Sequence, residues 1–306
     1  MGINKLIRRI RKGLAYKLAK SRWHQLAIHH AFSGYAQKSV FLPDINLTIK
    51  EYTFILLLEG YDNAKKIVEY GGHFEINRNQ LLLYIDGITL EIQTAEELFI
   101  VSEIFINKCY EFHLKGECAV IDIGMNVGIA SLYFASMPST TKVYGFEPFN
   151  PTYEQANVNF NLNSHLKKKI VPQNIGFGLQ NERLSVEYST QNRGRVGVYG
   201  RKFVKGIAED ISHEVMDLRS ASEILEQLKK ESGIQNFIVK MDCEGAEFDI
   251  INNLHQYGQL RFIQMLMLEW HEKEPLSIID RLKKNEFRIF KMNYSPTVGM
   301  IYAVRS

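Results

Sequence analysis

The sequence has few cysteines and no long apolar run. Its three cysteines, Cys109, Cys118 and Cys243, form neither a metal-ligand spacing nor an even-numbered disulfide framework. They are read as reduced thiols, which suits a cytoplasmic protein. No apolar stretch approaches the roughly 18 residues needed to span a bilayer; "FILLL" and "LLLYI" are core pieces. The N-terminus lacks the apolar segment of a secretory signal, and "MGINKL" lacks the Ser/Thr of a myristoylation site. There is no internal repeat and no low-complexity tract. What remains is a 306-residue chain with 45% apolar and 23% charged residues. That is an ordinary globular composition, with room for one large domain and a smaller module.

Acidic residues are missing from the first 43 positions, which carry nine Lys/Arg before Asp44. The overall charge of +3 therefore leaves −6 on the remainder. Within residues 1–22, Ile3, Ile7, Ile10, Leu14 and Leu18 recur at helical spacing, with basic residues on the other faces. Two readings stay open. The helix docks on an anionic membrane surface or a partner, or it packs on its own domain with a solvated basic face.

The pattern predicts three parts: a basic helical segment over 1–39, a β-rich module with a linking helix over 40–112, and an α/β domain over 113–306. In "FEINRNQLLLYIDGITLEI" the pair Asp86-Gly87 signals a hairpin. Thr94 with Glu97 forms a capping box, and Leu98, Val101, Phe105 and Phe112 continue at approximate helical spacing. From Ala119 the pattern alternates. Strands are expected at 119–123, 142–147, 169–174, 237–242, 262–269, 287–292 and 299–304. Helices are expected at 127–137, 151–162, 220–231, 246–256 and 275–285. Such alternation gives a mostly parallel seven-stranded sheet covered by helices. The last two strands are too close for a crossover and must pair antiparallel. The segment "NRGRVGVYGRKFVKG", residues 192–206, interrupts the path between the third and fourth strands. It reads either as a flap over an acceptor or as a solvated β-hairpin.

The stretch "AVIDIGMNVGIASLYFASMPSTTKVYGFEP" is a strand, a turn, a helix and a second strand. The dinucleotide fingerprint needs a middle glycine so that backbone can approach a pyrophosphate. Here that position is Asn126, between Gly124 and Gly128. Asp122 would repel phosphates and suits a cationic ligand such as S-adenosylmethionine (SAM). The carboxylate of SAM can meet N–H groups at the next helix start. Glu147, 25 residues after Asp122, can accept from both ribose hydroxyls. An NAD-dependent oxidoreductase is disfavoured by the missing glycine.

With "VIDIGMNVGIASLYFA", "KVYGFEPFNPTYEQANVNFNLN" and "FIVKMDCEGAEFDIINNL" in order, residues 95–290 resemble the FkbM-type SAM-dependent methyltransferases. The resemblance implies a class I methyltransferase, Rossmann-like fold and O-methylation, often of a sugar or polyketide hydroxyl. Met125 stands where a small residue is common. In this fold Asn174 lies where the adenine edge is met, and Ser131 is placed to reach the methionine part of SAM. Both can equally be local structural residues.

Methyl transfer relies on positioning, and a base near a poor hydroxyl nucleophile helps. The run "KMDCEGAE" offers Asp242 and Glu244, with Glu247 one turn on. Asp242 is the first choice to face the acceptor; its alternative role is capping the next helix. In "LMLEWHEKE", Glu269 and His271 share a side, and His271 is a candidate base with an ordinary pKa near 6.5. Trp270 is either a stacking platform or core. Asp242, Glu244 and Glu269 raise a divalent-metal option that nothing in the spacing selects, so no metal is expected. A non-catalytic SAM-binding scaffold stays open. A nucleic-acid substrate is disfavoured, because the fourth strand lacks the Asn/Asp-Pro-Pro-aromatic motif that holds a flipped base.

Vesicle co-sedimentation separates the two readings of residues 1–22. A membrane-docked helix gives binding to phosphatidylglycerol vesicles that collapses as the Debye length shrinks from about 10 Å at 0.1 M salt to about 3 Å at 1 M. Deleting residues 1–22 then abolishes sedimentation while SAM binding persists. A helix packed on its own domain gives no vesicle binding, and its deletion lowers solubility.

Overall fold

The computed structural model describes residues 40–49, 60–78, 80–114, 116–189, 211–234 and 237–305. The basic segment 1–22 and the interrupting segment 192–206 lie outside the described residues. The chain divides into two compact units, residues 1–108 and 109–306. No helix among the described residues is long and apolar enough to cross a membrane.

In the first unit, β1 (Val40–Leu42) and β2 (Leu47–Ile49) pair antiparallel. Helix α1 (Tyr61–Tyr70) follows, a helix within the stretch that the sequence pattern marked as β-rich. It buries Tyr61, Ala64 and Ile67 at three-residue spacing. A meander of β3 (His73–Asn77), β4 (Gln80–Ile85) and β5 (Ile88–Glu91) comes next. Asp86 and Gly87 turn β4 into β5, both at positive φ (46° and 76°), as a two-residue hairpin loop requires. Helix α2 (Ala95–Val101) is capped by Thr94, whose Oγ1 accepts from the Glu97 N–H at 3.3 Å. The Glu97 carboxylate reaches back to the Gln93 N–H at 2.7 Å, one residue beyond the usual box. The helix then loosens into a π turn over Ser102–Ile106 and ends. Phe112, expected to continue it, instead belongs to the second unit and packs on Phe134 with ring centroids 6.2 Å apart.

The second unit is built on seven strands: β6 (Cys118–Ile123), β7 (Thr140–Phe146), β8 (Ile170–Gln173), β12 (Phe237–Met241), β13 (Ile263–Trp270), β14 (Phe287–Asn293) and β15 (Gly299–Arg305). Their order is β14-β15-β13-β12-β6-β7-β8. Only β15 runs antiparallel to its neighbours β13 and β14. Between the strands come α3 (Ile129–Ser136), α4 (Asn150–Leu162), the short α5 (Ser164–Lys167), α6 (Ala221–Ser232), α7 (Glu247–Gln256) and α8 (Leu276–Lys284). This is the mostly parallel sheet of a class I methyltransferase, Rossmann-like fold. Leu225 of α6, Ile250 of α7 and Leu282 of α8 bury against Ile121, Val239 and Leu266 on one face. By strand alternation, Asp122, Lys240 and Met267 point to the other. Chain order reverses between β6 and β12, so their carboxyl ends open the crevice where ligands of open α/β sheets bind.

A second, three-stranded sheet lies between β8 and α6. The strands β9 (Gly176–Gly178) and β11 (Ile211–Ser220) pair parallel, and β10 (Glu182–Ser189) pairs antiparallel with β11. The strand β10 has one dry side: Leu184, Val186 and Tyr188 meet Phe149, Met216 and Leu218. The buried Asn253 ties this region to α7. Its amide donates to the Leu179 carbonyl at 2.7 Å and its oxygen accepts from the Ser222 N–H at 2.8 Å.

A side chain at Gly299 would collide with the buried Trp270 ring and the Met292 carbonyl. Gly299→Ala should therefore lower stability by about 1–3 kcal/mol, the usual range for overpacking. Urea unfolding measures it, and an unchanged midpoint would show that β14 and β15 can part freely.

Candidate active site

The turn after β6 is held from below. Asp122 is 0% exposed; its Oδ2 accepts from Ser131 Oγ at 2.6 Å, and its Oδ1 lies 3.1 Å from Lys240 Nζ. Lys240 sits on β12 directly across from Asp122 and also donates to the Gly124 carbonyl at 2.6 Å. Burial works against the lysine's charge, but Asp122 and then Asp242 outweigh it and hold its pKa above the usual value. The cation that Asp122 meets is thus a protein side chain. The sequence had suggested the ligand's ammonium instead, yet the carboxylate is sealed from any ligand. Ser131 is likewise fully buried and spends its hydroxyl on Asp122.

The turn itself runs through left-handed backbone at Gly124 (φ 74°), Asn126 (φ 51°) and Gly128 (φ 81°). Gly124 must be glycine because the Asp242 carbonyl passes against it, and Gly128 because the Phe160 ring does. Asn126 tolerates its conformation with its own Oδ1 accepting from the Val127 N–H at 2.8 Å. Met125 is buried and fills the space over Gly145 on β7, which explains why a large residue is accommodated here. No side chain caps α3, and among the described residues nothing accepts from the N–H groups of Ile129 and Ala130.

Glu147 follows β7 and is 6% exposed. Its Oε1 accepts from the Phe149 N–H at 3.0 Å and its Oε2 from the Asn126 N–H at 3.1 Å. Each oxygen keeps a lone pair. Desolvation pushes its pKa up to about 7, against the two backbone hydrogen bonds and Lys240, with Asp122 adding to the rise. Asn174 braces this corner: its amide donates to the carbonyls of Glu147 at 2.8 Å and Pro148 at 3.2 Å.

Past β12, Glu247 is fully buried and closes the loop. Its carboxylate accepts from the N–H groups of Cys243 and Gly245, both at 2.9 Å. No side chain caps α7, so Asp242 does not cap it, and Glu247 serves the preceding loop instead. The Asp242 carboxylate takes no hydrogen bond from the described residues and is half-buried, while its N–H donates to the Ile123 carbonyl at 3.1 Å. His271 is 4% exposed, with Nδ1 on Glu247 at 3.1 Å and Nε2 at 3.8 Å from both Glu244 and Glu269. Burial opposes its charge, but the hydrogen bond to Glu247 and the fields of Glu247, Glu244 and Asp242 raise its pKa to about 9. The ordinary value near 6.5 assumed for a base does not apply in this setting. Trp270 is 1% exposed and belongs to the core. Cys243 is a partly buried thiol whose pKa burial, and then Glu247, push well up.

Two residues that the sequence reading passed over belong to this region. Lys240 carries one faint signal, a lone charge inside the apolar strand "FIVKM". Tyr110 carries none. Its ring is buried beneath Lys240 Nζ, 5.8 Å from the centroid, and burial first, then Asp242, raises its pKa well above the usual tyrosine value. Lys240→Met would leave Asp122 buried without its cation, which should cost about 3–5 kcal/mol. Adding Asp122→Asn should recover most of that loss in urea unfolding. A double variant no more stable than the single one would show that the pair does not hold the turn.

Residues 122–289 match the family described as the methyltransferase FkbM domain. Methyltransferase 1 of Beauveria bassiana is 25% identical over 169 residues, which cover 51% of this chain and 66% of that protein. Methyltransferase sdnD of Sordaria araneosa is 24% identical over 191 residues, 54% of this chain and 71% of that one. A solved methyltransferase FkbM from Methylobacillus flagellatus aligns with a TM-score of 0.44 at 14% identity, over 66% of this chain and 47% of its own. The match over residues 122–289 spans the turn after β6, Glu147 and the ends of β12 and β13: the chain belongs to the FkbM family of SAM-dependent methyltransferases.

Proposed function

We propose that this chain is an O-methyltransferase that acts on a hydroxyl of a sugar, a glycan or another natural product. The observation that carries the reading is the corner made by Glu147. Its two oxygens are fixed by backbone N–H groups, and each keeps a lone pair for one hydroxyl of a ribose. The open N–H groups of Ile129 and Ala130 at the start of α3 suit the carboxylate of SAM. These features fit SAM, which when bound supplies an electrophilic methyl group on a sulfonium.

The chain's own residues divide the remaining work. Glu147 orients the ribose, and Asn174 holds Glu147's backbone in place. Lys240 and Asp122 fix the turn from beneath, so its geometry costs no reorganisation when ligand arrives. Asp242, whose carboxylate takes no hydrogen bond among the described residues, faces the acceptor side together with Glu244 and His271. Positioning of the hydroxyl there supplies most of the acceleration.

SAM binding by calorimetry between pH 6 and 8 tests this reading. An ionised Glu147 is the better acceptor for ribose hydroxyls. With a pKa of about 7, affinity should rise through neutrality and level off above it. At one pH unit below the pKa the wild type should bind about tenfold more weakly than at the plateau. Glu147→Gln should lose that pH dependence and, at pH 8, weaken binding by about tenfold or more, the scale of a charged hydrogen bond. Equal affinity in a folded Glu147→Gln protein, or a preference for NAD over SAM, would reject the assignment.

A further inference from the structure

We propose that Asp242, Glu269 and His271 form a binding site for a divalent cation of the Mn²⁺ or Mg²⁺ kind at the acceptor end of the crevice. The sequence spacing does not show this set; the fold assembles it. The three residues come from the ends of two adjacent parallel strands, β12 and β13, and one ligand atom from each lies within 4.8 Å of the others. Three ligand atoms spaced evenly at about 2.1 Å around one ion are at most about 3.6 Å apart, so closing on an ion draws each inward by up to about 0.7 Å. Two carboxylates and one imidazole are a donor set that suits such ions.

The histidine is prepared for this role. Glu247, itself locked by the Cys243 and Gly245 N–H groups, holds Nδ1 at 3.1 Å and so fixes the ring plane. A carboxylate behind a ligating histidine is the usual supporting arrangement in metal sites. Nε2 is thereby turned toward the carboxylates, where its contacts of 3.8 Å are too long for hydrogen bonds. The buried Tyr110 ring lies close enough for Asp242 and Glu269 to act on its hydroxyl. Lys240 feels the charge of Asp242, but its direct contacts are with Asp122 and the Gly124 carbonyl.

The functional consequence rests on the methyltransferase reading, whereas the binding itself does not. A divalent cation in this place would hold two neighbouring oxygens of the acceptor and make its hydroxyl easier to deprotonate. The class of acceptor it selects is a vicinal diol or a hydroxyl beside a carbonyl. In the transfer, the hydroxyl proton passes to solvent, the O–C bond forms as the S–C bond breaks, and the departing thioether is neutral.

The test uses the full-length protein, stripped with a chelator and titrated with Mn²⁺. The signal of free Mn²⁺ is read by electron paramagnetic resonance. We expect one saturable site per chain, and at least tenfold weaker binding in Asp242→Asn and in Glu269→Gln. SAM binding, followed separately by calorimetry, should persist in both variants and after chelation. Glu231→Gln, an acid on α6, should bind Mn²⁺ like the wild type. Because the variants can fail to fold, the wild-type melting temperature supplies a second measurement: it should rise with Mn²⁺ and return when chelator is added. No saturable Mn²⁺ binding, no melting shift, or undiminished affinity in folded Asp242→Asn and Glu269→Gln would overturn the site. Loss of SAM binding with Mn²⁺ binding intact would overturn the methyltransferase reading alone.

Discussion

The arrangement depends on one buried ion pair. Lys240 and Asp122 face each other across β12 and β6, the two strands at which chain order reverses. Removing two charges from water is costly, and that cost is offset by the pair's own attraction and by two further hydrogen bonds. Ser131 donates to Asp122, and Lys240 donates to the Gly124 carbonyl. The pair therefore fixes a backbone carbonyl inside the turn as well as two side chains. It joins the sheet's centre to the geometry of its ligand-facing edge.

Around that anchor, close backbone approach decides the residue types. Gly124 lies against the Asp242 carbonyl, so the turn after β6 and the loop after β12 interlock. The Asp242 N–H closes the contact on the Ile123 carbonyl. Glu147 is joined to the same turn through the Asn126 N–H, and Asn174 ties Glu147's own carbonyl to the end of β8. This region is one hydrogen-bonded assembly drawn from three strand ends. Its groups are already in place, which is how an enzyme that works by positioning gains its rate.

The loop ends of β12 and β13 are organised differently. Here a single buried carboxylate, Glu247, satisfies the loop N–H groups and the histidine together. That frees Asp242 from structural work. Asp242, Glu244, Glu269 and His271 then crowd into a small space, and the acids lift the histidine's affinity for a proton. Such a cluster attracts cations and repels anions, so a phosphate-bearing acceptor is a poor match for its floor.

The seven strands and the helices between them were legible in the sequence because each is announced locally. Apolar runs such as "AVIDI" and "FIVKM", bounded by turn residues, declare buried strands, and Asp86-Gly87 declares its hairpin without reference to anything distant. The motifs around Gly124, Glu147 and Asp242 also marked the strand ends that meet at the crevice. The π turn that stops the helix before Phe112, the helix α1 and the sheet of β9, β10 and β11 were not announced, because packing decided them over weak local pattern. Roles were decided only by tertiary structure. Asp122 looked like a ligand's partner until the fold placed Lys240, 118 positions along the chain, beside it. Asp242 read first as facing an acceptor and otherwise as a helix cap, and the fold leaves α7 without a side-chain cap; Tyr110 gave no sign at all. Sequence determines which residues can carry a charge or turn a corner. Which of them meet depends on strand register and order, and these are properties of the whole sheet.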